Sequence, residues 1–86
     1  MIILCNLKPF TFAQKIMVFN NEGNLETTIS ASVKDLPETL CEIANKYQCN
    51  KIKMSGSKIY TKGFEEKIKG CYLAKYNKND IEIEYI

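Results

Sequence analysis

The sequence predicts a single α+β domain, a mixed sheet with two helices in the order β-β-β-α-β-α-β. Leu25–Ala31 and Ile81–Ile86 alternate apolar and polar residues with period two, the pattern of half-buried strands. Between them Leu36, Leu40, Ile43, Ala44 and Tyr47 recur at helical spacing. A chain of 86 residues has room for one hydrophobic core, hence one domain over 1–86.

The elements follow in order. Met1 to Cys5 is a continuous apolar run, consistent with a buried strand. Lys8, Pro9, Phe10 and Thr11 break it, because proline cannot donate to a sheet ladder. A second strand is expected at about Ala13–Asn20, rich in Ile16, Val18 and Phe19. Asn20 to Asn24, with Gly23, is turn chemistry, since Asn and Gly tolerate positive φ. The third strand then places Leu25, Thr27, Ile29 and Ala31 on one face.

Asp35 is placed to cap the first helix, with Pro37 in its first turn and Glu38 completing a capping box. Asn50 is the expected end signal. Lys51–Met54 reads as a short strand closed by Ser55, Gly56 and Ser57. A second helix follows, with Phe64, Ile68, Cys71 and Tyr72 on one face. Gly63 and Gly70 weaken it by about 1 kcal/mol each. The competing reading makes 71–76 a strand; the helix is favoured. In the last strand Glu82 and Glu84 point to one side.

Composition narrows the function classes. With 45% hydrophobic and 26% charged residues the chain is globular rather than disordered. No apolar run approaches the ~20 residues that span a bilayer. The apolar start lacks a basic leader, so a signal peptide is not expected and the protein is expected in the cytoplasm. All twelve basic residues are lysine, which together with abundant Ile, Asn and Tyr suggests an AT-rich genome. Cys5, Cys41, Cys49 and Cys71 have no C-x-x-C spacing and no histidine to join them, so they are expected to be reduced core or boundary residues. No metal and no cofactor is expected.

Three candidate sites stand out. Gly56, Ser57 and Lys58 lie between a strand and a helix start, where free amides and the helix dipole suit an anion; a plain turn capped by Ser57 is the alternative. Residues 51–78 hold eight lysines against two glutamates. Lys51, Lys53, Lys58, Lys62, Lys67 and Lys69 there make a candidate partner-binding face, or simply a solvated one. Without arginine, sequence-specific readout of nucleic acid is not expected. Phe10, Phe12 and Tyr60 would anchor a partner if exposed and serve the core if buried. The edge strands also invite strand addition or a symmetric dimer.

The order of elements resembles the ribonuclease H-like fold, and half of an actin-like domain. Lys51 to Gly56, followed by Tyr60 and by Gly63 to Ile68, looks like a strand–glycine–helix unit of that kind. The segment is also similar to short, uncharacterised proteins of phages and mobile elements of low-GC Gram-positive bacteria. The resemblance implies a minimal ribonuclease H-like fold, but the carboxylate that such nucleases carry on the first strand is missing from Met1 to Asn6. With no histidine either, an enzyme is not expected. The sequence therefore predicts a non-enzymatic protein that binds a macromolecule, by protein contact or self-association, with non-specific nucleic-acid binding as the alternative.

Overall fold

In the computed structural model the elements run β1 (Ile2–Leu7), β2 (Ala13–Phe19), β3 (Leu25–Ser32), α1 (Leu36–Lys46), β4 (Lys51–Gly56), α2 (Lys58–Tyr76) and β5 (Glu82–Tyr85). The structure describes residues 1–8, 12–56 and 58–86, with the backbone alone for 58–62. The predicted class and element order are the observed ones, and residues 71–76 are helical.

The five strands lie in the order β3-β2-β1-β4-β5. β2 is antiparallel to both β1 and β3, whereas β4 is parallel to β1 and to β5. β3 is therefore parallel to β4. Both crossovers, β3-α1-β4 and β4-α2-β5, move across the sheet in the same direction. Parallel crossovers are right-handed, so both helices fall on one face. There they pack on each other and on Ile3, Cys5, Leu7, Ile16, Val18, Ile52 and Met54. Leu36, Leu40, Ile43 and Ala44 of α1 and Phe64, Ile68 and Tyr72 of α2 close the core from above.

Local chemistry departs from expectation at three points. A bulge sets Val18 opposite Thr27 but Phe19 opposite Leu25, leaving Glu26 as the extra residue. Thr27, Ile29 and Ala31 share the core side as predicted, while Leu25 is 53% exposed. Asp35 stands at the N-cap of α1 but makes no side-chain cap; its carboxylate accepts the Ser32 hydroxyl at 3.0 Å. Glu38 likewise completes no capping box, because Lys75 of α2 donates to it and to Glu42 at 2.6 and 2.8 Å. The chain leaves α1 through Gln48, at φ 52°, rather than at Asn50. Asn50 instead donates its amide to the Asp80 carbonyl, tying the approach to β5.

Gln14 is the buried polar residue of the sheet, and it is satisfied. Its Oε1 accepts the Lys8 amide at 2.9 Å and its Nε2 donates to the Lys8 carbonyl at 3.0 Å. This reciprocal pair ties the end of β1 to the start of β2 and satisfies the buried amide.

Candidate binding face of the sheet

The second face of the sheet is covered by no described element. Side chains alternate along a strand, so the neighbours of the buried residues point there. On β1 these are Ile2, Leu4 and Asn6; on β2, Lys15, Met17 and Phe19. The register sets Ile2 opposite Phe19, Leu4 opposite Met17 and Asn6 opposite Lys15. Ile2, Leu4, Met17 and Phe19 thus form an apolar block two strands wide at the middle of the sheet. Ile2 is 40% exposed and the other three are half-buried.

Charge surrounds the block in a definite pattern. Lys53 lies beside Leu4 on β4, with Lys51 one pleat before it, and Lys15 closes the end of the block on β2. Glu82 and Glu84 pair with Lys51 and Lys53 one strand further out, at the sheet edge. Toward β3 the block meets Thr28, opposite Met17, and Ser30, opposite Lys15. Asn6 and Ser55 are held together by a hydroxyl–amide bond of 3.1 Å. An apolar centre with a cationic inner rim suits a surface that is apolar and flanked by carboxylates.

The lysine-rich segment does not form one face. Lys51 and Lys53 lie on the uncovered side of the sheet, whereas Lys67 and Lys69 are exposed on α2, in the helical layer. Lys69 pairs with Glu65 at 3.0 Å, Lys75 bridges Glu38 and Glu42, and Lys78 donates to Asn45. Linear clustering is split because a strand and the helix after it occupy different layers. The side chains of Lys58, Tyr60 and Lys62 fall outside what is described, as do Phe10 and Ser57 altogether. Phe12 is 86% exposed, at the entry to β2.

Gly56 has a structural reason to be glycine. Its φ is +106°, and a Cβ there would stand 2.0 Å from the Leu7 carbonyl oxygen. The predicted anion turn therefore rests on a residue that the packing of β4 against β1 already requires.

The four thiols are unbridged. Cys5, Cys41 and Cys49 are buried and Cys71 is half-buried. Burial pushes Cys5 up to about 11; burial and then the neighbouring Cys71 push Cys41 up to about 12. Both are held as neutral thiols, and the Cys41 thiol donates to the Ile68 carbonyl across the two helices. Among the described residues no three Cys, Asp or Glu side chains gather as metal ligands do, and no helix is long and apolar enough to cross a membrane.

No protein-family model matches the chain, and no curated protein matches it.

Sequence reasoning passed over the apolar block, although its signal was present. Met1 to Cys5 and Ile16 to Phe19 are both apolar without alternation. Such runs mark strands apolar on both faces. The helices of this chain cover one of those faces.

Proposed function

We propose that the protein is a non-enzymatic binding factor that engages another protein through the uncovered face of its sheet. The partner presents apolar side chains flanked by acidic ones, as in an amphipathic segment. One observation carries this reading: β1 and β2 carry apolar side chains on both faces, yet among the described residues only one face has a layer of its own chain over it. Covering Ile2, Leu4, Met17 and Phe19 would gain roughly 25 cal/mol per Å² of apolar surface. The lysines at the rim favour acidic neighbours over basic ones. The lysine-only, AT-biased usage and the likeness to short phage and mobile-element proteins support a cytoplasmic accessory factor that acts on a host protein.

The face supports nucleic acid less well. Among the described residues Phe19, half-buried, is the one aromatic side chain on it, where single strands need stacking platforms. The lysines of 51–78 that would follow a phosphate backbone are divided between two layers.

The experiment is a capture from lysate of a low-GC host with the tagged natural protein and with Met17→Glu, each with and without nuclease. A protein held by the natural chain after nuclease, and lost by Met17→Glu, supports the reading. A captured set that vanishes with nuclease and ignores the Met17 substitution overturns it in favour of nucleic acid.

A further inference from the structure

We propose that β3 pairs with β3 of a second copy, antiparallel about a two-fold axis at Ile29, to form a ten-stranded sheet. This contact uses the edge of the sheet and is independent of the face assigned above. Among the described residues β3 ends the sheet and has β2 as its one neighbouring strand, so alternate amides and carbonyls along its outer side have no ladder partner there. Edge strands are ordinarily guarded by charge, proline or brevity. A bulge at Glu26 twists the first residues of β3, and from Thr27 onward the strand has none of these guards. It is the longest of the described strands, at eight residues, and from Thr27 to Ser32 it carries no charge and no proline. The opposite edge is guarded: β5 has four residues, and Glu82 and Glu84 alternate along it.

The sequence of β3 is complementary to itself in one register. With Ile29 opposite Ile29 of the second copy, Thr28 meets Ser30, Thr27 meets Ala31, and Glu26, the one charge, meets Ser32. No like charges face each other, and hydroxyl and β-branched pairs of this kind favour antiparallel ladders. Because the pairing consumes the one unguarded edge of each copy, it closes at a dimer.

Sedimentation equilibrium of the full chain across a hundredfold range of concentration tests this. The expected mass rises from 9.9 kDa toward twice that value, while amide exchange slows at alternate residues of β3. Thr28 and Ser30 are both exposed, so the double variant Thr28→Lys, Ser30→Lys sets lysine against lysine twice across the two-fold axis; position 30 also faces Lys15 of its own chain, so its retained fold is checked by far-UV circular dichroism. This variant should stay monomeric, and mixing it with Thr28→Glu, Ser30→Glu should restore the dimer. A natural protein that stays at 9.9 kDa throughout, or a lysine variant that dimerises as fully as the natural chain, would overturn the proposal.

Discussion

Gly56 and Leu7 lie side by side at the ends of β4 and β1, so close that a Cβ on Gly56 would stand 2.0 Å from the Leu7 carbonyl oxygen. That contact joins the parallel strands β1 and β4 at the end where α2 begins. Gly56→Ala must both move backbone and accept a φ of +106°, so we expect it to destabilise the fold by about 2 kcal/mol or more. Urea unfolding of the two proteins measures the difference.

Gly70 predicts the opposite sign. It is exposed within α2, and a Cβ there would meet nothing within 4 Å. Gly70→Ala should stabilise the protein by about 0.5–1 kcal/mol, through a helix that loses less entropy on folding. An unchanged or lower urea midpoint would mean that this turn of α2 is not helical in solution.

The buried thiols predict loss of stability in alkali. The folded values of Cys5 and Cys41 lie near 11 and 12, above the ordinary 9.0, so between those limits the unfolded chain binds fewer protons than the folded one. Stability is then fully present below pH 9 and falls as pH rises toward 11–12, by at most about 1.4 kcal/mol per pH unit for each thiol. Tyr85, pushed up to about 12 by burial and by its bond to Glu65, adds in the same direction. Cys5→Ala should flatten the decline between pH 9 and 11 seen by urea titration.

Exposure orders the thiols by access. Cys71 is half-buried and the other three are buried. A small alkylating reagent at neutral pH should label Cys71 first in the folded protein, and all four only in denaturant. Mass spectrometry of the labelled peptides reads this directly.

The fold was legible because its signals are local. Alternation over Leu25–Ala31 and Ile81–Ile86, the apolar stripe from Leu36 to Tyr47 and the glycine turn at Gly23 each report a backbone preference within a few residues. What sequence could not supply depends on neighbours distant in the chain. Asp35 has the residue type of a cap, but Ser32 takes its carboxylate. Glu38 has the spacing of a capping box, but Lys75 lies 37 residues away and takes it. The eight lysines of 51–78 are close in sequence, and the crossover from β4 to α2 sends them to different layers. The apolar block was half-visible: the runs at Met1–Cys5 and Ile16–Phe19 announce strands apolar on both sides, but which side the helices would leave uncovered follows only from the direction of the two crossovers.

On the proposed function, the uncovered sheet face, and not the lysine-rich helix, holds the partner. The most direct test is titration calorimetry of the captured protein partner against the natural chain, Met17→Glu, and the helix variant Lys67→Glu, Lys69→Glu. A loss of about tenfold or more is expected for Met17→Glu and a change within about twofold for the helix variant. Tight binding by Met17→Glu with loss in the helix variant would contradict it.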